Sequence, residues 1–464
     1  MQTDRAKMQA FLVAKGQPAT GTTAAIAERA TQFDYNAATD KGRRQAPQTR
    51  TKQEDIVLSP PKRAKLNSTA QDQIRNHSLP AWMVRTHLDY VSSFKLSIRT
   101  ESDELNDVLM ALFKWHGRPE NFDIAERLGR EESFRLFERE KLVSGDAGFI
   151  KINGERKLQG LESDLIAKHS PNQEQSKAMT AAEKEGIKQV NDQGLVQEPT
   201  GKRLAFSVCA RTGVRGAVEF DHLEPAENVI FDGYWTRLTS QRRGISPLST
   251  ALNTVQDIFE ANEWNLLKAK LHAIFGVAIL RKSGAEGGDM GGAGGATDET
   301  EDADATATGT SYDLNPSKPS ILDLDEGADV KILESSTPST EFVQGQHLFM
   351  QLAMLAIDLP ATFLDSRKSS FSAMLADQNK YETAARDKQK KNRYVRQAYS
   401  DWLIELVWAD ENPDTNWNLK NIATKAGASL MQVKAAINWI LSGTPWIDRL
   451  KEAKGSRLVV ESLL

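Results

Sequence analysis

Apolar residues recur along this chain at two spacings, and the places where one gives way to the other mark its predicted elements. From Met1 to about Ala70 neither spacing holds. That stretch is rich in Ala, Thr, Gln and Lys and poor in large apolar residues, the pattern of an extended arm. Between Leu79 and Glu104, Trp82, Val84, Leu88, Val91, Phe94 and Leu96 predict a helix running into a strand, and Asn106 to Phe113 predicts a second, short helix. Glu132 to Leu142 predicts a helix with Phe134, Phe137 and Leu142 on one side. It breaks at Ser144-Gly145-Asp146-Ala147-Gly148, after which Phe149-Ile150-Lys151-Ile152 alternates as a strand. Further alternation at Leu204 to Val208, Ala217 to Phe220 and Asn228 to Phe231 makes this region mixed α and β.

The clearest element is a long amphipathic helix. Ser246 can cap it, Pro247 suits its first turn, and Leu248, Leu252, Val255, Phe259, Leu266 and Leu267 keep one face apolar until Phe275-Gly276. A strand follows at Val277 to Leu280. Ser283 to Pro316 then holds repeated Gly and Ala with eight acids and no Lys or Arg, an exposed and self-repelling loop. Strand-like alternation returns at Pro319 to Leu333. Phe342 to Ile357 predicts an apolar helix closed by Asp358-Leu359-Pro360. A second long helix is predicted from Ser370 to Trp408, apolar at both ends but with five cations and one acid between Arg386 and Arg393. Helical stretches at Thr424 to Ser442 and Asp448 to Leu464 complete the chain.

Composition narrows the function. At 464 residues more than one structural region is expected. A single cysteine, Cys209, excludes a disulfide framework within the chain, and seven scattered histidines offer no zinc spacing. The longest apolar stretch, Leu348 to Ile357, is about half of a membrane span, so no membrane association is expected. The net charge of −4 gives a mildly acidic average surface, unlike that of a tight nucleic-acid binder, so any DNA contact should be local or weak. No Gly-x-Ser-x-Gly elbow, Walker-type phosphate loop or zinc-protease helix is present. Gly291 to Gly295 sits in the acidic loop and not between a strand and a helix. His116, His222 and Cys209 each stand alone and are expected to be structural or surface residues. No catalytic, cofactor-binding or metal-binding residue is assigned, and no enzymatic activity is expected.

Several passages, taken in order, resemble the lambda-type portal proteins of tailed phages. They are Phe33-Asp34-Tyr35, His77-Ser78-Leu79-Pro80-Ala81-Trp82, the Gly-Asp turn at Ser144 to Phe149, and Asn228-Val229-Ile230-Phe231. Gln241-Arg242-Arg243-Gly244-Ile245-Ser246-Pro247-Leu248 follows, continued by Glu260-Ala261-Asn262-Glu263 and Leu267-Lys268-Ala269-Lys270. Ile357-Asp358-Leu359-Pro360, Lys368 to Ala373 and Pro445-Trp446-Ile447-Asp448 complete the likeness. The chain departs from the pattern in its Gly-rich acidic insert and in ending soon after the last motif.

The resemblance implies an α+β portal fold: an N-terminal arm (1–70), a mixed wing (71–245), a long stem helix (246–275) and a small strand-containing clip (276–338) carrying the acidic loop 283–316. Channel-proximal helices and their loop (339–410) and a helical C-terminal crown (411–464) complete it. It also implies a homo-dodecameric ring at one capsid vertex of a virion, assembled in the host cytoplasm, through which double-stranded DNA is packaged and ejected. Its partners would be the terminase large subunit, the major capsid protein and head-completion or neck proteins. Expected subunit contacts are Arg242, Arg243, Asp257, Glu260, Glu263, Lys268 and Lys270. Expected channel groups are Arg367 and Lys368 on the loop after Pro360, and Lys388, Lys390, Lys391 and Arg393 on the helix that follows. Two other readings remain open: another phage structural adaptor, or a helical nucleic-acid-binding protein gripping DNA with that basic stretch.

Overall fold

The computed structural model describes residues 54–212, 217–239, 241–274, 277–281, 328–332, 338–365, 370–410 and 417–441. It opens with two helices, α1 (Glu54–Val57) and α2 (Pro60–Asn76), so the arm expected to reach about Ala70 gives way to helix well before that point. Pro60 and Pro61 occupy the first turn of α2, where a missing N–H leaves no hydrogen bond unmade. Ala70 is buried, with Leu66 and Ile74 packed beside it, and this apolar stripe holds the helix down.

Helix α3 (Ser78–Val91) runs into strand β1 (Phe94–Ile98), and α4 (Asp103–His116) is followed by the single turn α5 (Pro119–Phe122). Helix α6 (Arg130–Ser144) buries Phe134, Phe137 and Leu142 and leads through Gly145 into β2 (Asp146–Ile152) and β3 (Lys157–Leu161). Two short helices, α7 (Gln173–Ala178) and α8 (Ala181–Lys188), carry no predicted counterpart. Each begins with a capping box, Asn172 with Gln175 and Thr180 with Glu183. Strands β4 (Leu195–Gln197), β5 (Arg203–Thr212), β6 (Ala217–Pro225) and β7 (Val229–Gly233) follow. The strands in these two sheets pair antiparallel: β4-β5-β6 form one sheet, and β3-β2-β7 another with β2 in the centre.

A 3-10 turn at Pro247–Thr250 precedes the long helix α9 (Leu252–Ile274). Ser246 caps that turn by accepting from the Leu248 N–H. Strands β8 (Val277–Arg281) and β9 (Ala328–Ile332) pair and bring together the two ends of 282–327; the acidic loop expected at 283–316 lies outside the described residues. Helix α10 (Thr340–Met354) packs along α9, and α11 (Phe371–Ala409) extends for 39 residues, a length of about 58 Å.

The helix predicted over Thr424 to Ser442 is instead α12 (Leu419–Lys425), α13 (Leu430–Ala436) and strand β10 (Ile437–Leu441). Gly427, at φ +69°, ends the first helix, and the Ser429–Gln432 capping box starts the second. Pairing of β10 with β1, more than 300 residues upstream, then takes the chain out of helix. The stretch from Asp448 lies outside the described residues.

Three apolar clusters hold these elements. The first joins α4, α6, β10 and the C-terminal half of α11 through Phe113, Phe134, Tyr399, Trp402 and Trp439. The second joins α3, the start of α9 and the end of α10 through Met83, Leu88, Val255, Met354 and Tyr381. The third lies between the two three-stranded sheets around Ile150, Phe206 and Val208. Because α11 supplies Tyr381 to one cluster and Tyr399 to another, it ties the helical and sheet-rich halves together.

Candidate functional site

Two of the short motifs in the sequence meet at one buried junction. Gly145 ends α6 at φ +100°, and Asp146 starts β2. Arg243 and Gly244 lie on the turn between β7 and α9. A Cβ on Gly145 would stand 2.6 Å from the Gly244 carbonyl oxygen, and one on Gly244 only 2.0 Å from that of Gly145. Only a glycine pair lets the two turns touch.

That contact places the Arg243 guanidinium against the Asp146 carboxylate. Nε donates to Oδ2 and Nη2 to Oδ1, both at 2.8 Å. The remaining donors are taken by carbonyls: Nη1 by those of Ile166 (2.7 Å) and Gln193 (3.1 Å), and Nη2 by that of Ser163 (2.7 Å). Asp146 also accepts from the Gly244 N–H at 2.7 Å and from Ser163 Oγ at 2.7 Å. Arg63 on α2 closes the junction by donating to the Gly244 carbonyl at 2.6 Å and to Gln193 Oε1 at 3.2 Å. Burial by itself would raise the Asp146 carboxyl; Arg243, its hydrogen bonds and Arg63 more than offset this and hold the group below its ordinary value. Burial, reinforced by the Arg243 charge, lowers Arg63 to about 10.

A second buried network lies one helical turn earlier on α6. Lys141 Nζ sits 2.7 Å from Glu138 Oε2 and 3.0 Å from Asp232 Oδ2, while Tyr234 OH donates to Glu138 Oε1 at 3.0 Å. Burial raises the Glu138 carboxyl. Burial opposes the Lys141 charge, but Glu138 and Asp232 prevail and raise its pKa. The Tyr234 ring lies 5.3 Å from Lys141 Nζ and 5.8 Å from Lys391 Nζ, so it bridges α6 to α11 by cation–π contacts.

The expected contact and channel residues fall into separate settings. Arg243 is enclosed within its own subunit, with its side chain 1% exposed. Arg242 is exposed and pairs with Asp55 at 3.7 Å. Asp257, Glu260, Glu263, Lys268 and Lys270 are all exposed along α9, with Glu260 accepting from Gln256 Nε2 at 2.8 Å. Lys388 turns inward and clamps the α10–α11 corner, donating to the Ile357 carbonyl at 3.3 Å and to Asp358 Oδ2 at 3.0 Å. Arg393 reaches Asn438 at 3.2 Å, and Lys390 is exposed beside Asp387. Arg367 and Lys368 lie outside the described residues. The basic middle of α11 is therefore spread around the helix and largely tied to neighbouring groups.

Cys209 is buried in β5, and His222 sits between Asp221 and Glu224. His116 is buried, with the Tyr399 hydroxyl 2.9 Å from Nδ1 and the Arg156 carbonyl 2.7 Å from Nε2. Among the described residues there is no group of three or more potential metal ligands, and no helix long and apolar enough to cross a membrane.

Sequence periodicity gave no sign that the apolar face of α9 would leave the core. Leu248, Leu252, Val255 and Ile258 are buried, but Trp264, Leu266 and Leu267 are exposed. On the packed helix α10, Leu348 and Leu352 are exposed at a spacing of four, and Leu355, in the 3-10 turn that follows, is exposed three residues on. These two packed helices thus carry apolar side chains that no described residue covers.

This chain belongs to the lambda family of phage portal proteins: the family model described as phage portal protein, lambda family, matches residues 41–403. The family is structural and not catalytic, and the chain accordingly has a portal, or connector, role. Similar solved structures include the neck of an empty GTA particle computed with C6 symmetry, at 14% identity and a TM-score of 0.47, covering 80% of this chain and 94% of that one. Others are the neck of a native GTA particle computed with C12 symmetry (16%, 0.45, 80% and 90%) and the virion of a native gene transfer agent particle (15%, 0.42, 87% and 89%). No curated protein matches the chain.

Proposed function

We propose that twelve copies of this chain close into a ring at one vertex of a capsid, the ring through which double-stranded DNA is packaged and later ejected. The family match across 41–403 carries this reading. The exposed apolar residues of α9 and α10 supply the contact that closes the ring: Trp264 and Leu267 on one helix, and Leu348 and Leu352 on the other with Leu355 just beyond its end, are core-type residues that no described residue covers. A head-to-tail contact covers such a face on every copy once the ring closes. Asp257, Glu260 and Glu263 at one end of α9, and Lys268 and Lys270 at the other, set the register between neighbours.

A conduit must not hold its cargo. Twelve copies at −4 each amount to roughly −48, which repels duplex DNA on average. Lys390 and Arg393 on α11, with Arg367 and Lys368 on the preceding loop, are the cations that keep the duplex centred, whereas Lys388 and Lys391 serve the subunit's own packing. In this reading 71–245 is the peripheral wing, 246–275 the stem, 276–338 the clip and 411–464 the crown. The ring docks the terminase large subunit, the major capsid protein and head-completion or neck proteins, carries out no catalysis of its own, and is assembled in the host cytoplasm before residing in the virion.

Electron microscopy of purified protein tests the ring. Closed rings with an open axis are expected, and a protein that stays monomeric under all assembly conditions refutes the reading. Salt titration separates a conduit from a DNA-gripping protein. Linear duplex should bind feebly at physiological salt, whereas a binder neutralising several phosphates loses orders of magnitude in affinity as salt rises.

A further inference from the structure

We propose that this chain forms a covalent brace within itself: the Lys141 amine condenses with the Asp232 carboxyl to make an isopeptide bond, with Glu138 carrying the protons and one water released. The reaction involves a single copy and does not depend on the ring.

The course of the chain brings the three groups together. Helix α6 passes through Gly145 straight into β2, and β2 pairs with β7 so that Ala147 stands opposite Asp232. The last turn of α6 therefore lies against the end of β7. Glu138 and Lys141 are three residues apart on that helix and share a face. Lys141 Nζ stands 3.0 Å from Asp232 Oδ2 and 2.7 Å from Glu138 Oε2. The Tyr234 hydroxyl fixes Glu138 by donating to Oε1 at 3.0 Å, and Oε2, with no hydrogen-bond partner from elsewhere among the described residues, is left to the amine. The side chains of Lys141 and Glu138 are enclosed, whereas that of Asp232 is 18% exposed, which gives the released water a way out.

Enclosure changes a condensation that does not proceed between free side chains in water. Groups held within ~3–3.5 Å of one another react as though present at about 10⁵–10⁸ M. Exclusion of solvent also removes the water that would hydrolyse the product. The hydration lost by burying two charges can exceed what their attraction returns, and an amide carries neither charge. Asp232 is the electrophile because it lies on a different element from the lysine and opens to solvent, while Glu138 is sealed in as the base. Burial raises the Glu138 carboxyl, which makes it a stronger base than an ordinary carboxylate. Glu138 and Asp232 together hold Lys141 protonated, so the amine form is rare and the reaction slow; it has to run only once per molecule.

The steps balance without an oxidant or a co-reactant. Glu138 takes a proton from the Lys141 ammonium and passes it to Asp232, leaving a neutral amine beside a neutral acid. The Nζ lone pair attacks Asp232 Cγ. Glu138 then moves a second proton from Nζ to the departing oxygen, the Cγ–O bond breaks and the Nζ–Cγ bond remains. One ammonium proton stays on the amide nitrogen, two leave as water with an Asp232 oxygen, and Glu138 is returned to its starting form. The bond closes the segment from the end of α6 to β7, which contains both three-stranded sheets, into a covalent loop.

Mass spectrometry of the full chain, denatured after incubation in the folded state, is the test. The expected result is a mass one water short of the value for its residues, and a branched tryptic peptide in which Glu140 to Lys151, uncut at Lys141, is joined to Gly216 to Arg237. Protein of full mass overturns the proposal. So does a water loss confined to Gly216 to Arg237, which is succinimide closure at Asp232-Gly233, or a lactam between Lys141 and Glu138. Glu138→Gln, shown to be folded by circular dichroism, should gain the bond on the order of a hundredfold more slowly, and an unchanged rate refutes the proton route through Glu138. The measurement on the unsubstituted protein stands whether or not that variant folds, and rings in electron micrographs are scored separately from it.

Discussion

Replacing Asp146 with alanine should be among the most damaging single changes in this protein. The substitution leaves the Arg243 guanidinium, 1% exposed, without the carboxylate that both Nε and Nη2 contact at 2.8 Å. The Gly244 N–H loses its acceptor as well. Removing one partner of a buried ion pair typically costs about 3–5 kcal/mol, most of it the penalty of an uncompensated buried charge. Urea unfolding followed by tryptophan fluorescence should therefore show a loss of that size for Asp146→Ala, and a comparable one for Arg243→Met. The double variant, with neither charge present, should lose clearly less than the two singles combined, giving a coupling energy of a few kcal/mol. Acid adds a second readout. Because the folded-state pKa of Asp146 lies below its unfolded value, the pair's contribution is full above about pH 4 and fades as pH falls through the folded-state value. A loss under about 1 kcal/mol in Asp146→Ala, or strict additivity in the double variant, would refute the idea that this junction holds the turns together.

Other consequences are as open to measurement. Gly244→Ala forces a Cβ to within 2.0 Å of a backbone oxygen, so a loss on the order of 3 kcal/mol or failure to fold is expected, and near-normal urea stability would contradict the close approach. Burial, opposed in part by the Arg156 carbonyl, holds His116 at about 4, so the folded protein binds that proton less readily than the unfolded chain. Stability should thus be full above pH 6.5 and decline by about 3 kcal/mol toward pH 4; His116→Gln should flatten that decline, measured by urea unfolding across pH. Trp264→Asp or Leu352→Asp should leave the monomer's circular dichroism and unfolding midpoint unchanged while abolishing rings in electron micrographs. Lys390→Gln with Arg393→Gln should reduce the salt dependence of residual DNA binding by up to about two phosphate contacts, whereas Lys388→Gln should instead lower stability by loosening the Asp358 corner.

The sequence determined by itself what depends on neighbours within a few residues. The helices around Phe134 and Phe137, the long helix after Ser246 and the 39-residue helix from Phe371 all follow from apolar spacing and caps, which act locally. The family resemblance was legible for the same reason, being carried by short turns and their flanking residues. Tertiary structure decided whatever depends on residues far apart in the chain. Ile437 to Leu441 reads as helix until β1 offers it a partner across more than 300 residues. Arg243 reads as a surface cation until Asp146, Ile166, Gln193 and Ser163 are gathered around it, and Leu266 and Leu267 read as core although no described residue covers them on α9. Periodicity fixes which face of a helix is apolar. Whether that face meets its own subunit or is left bare depends on where other elements stop, and one-dimensional spacing carries no information about that.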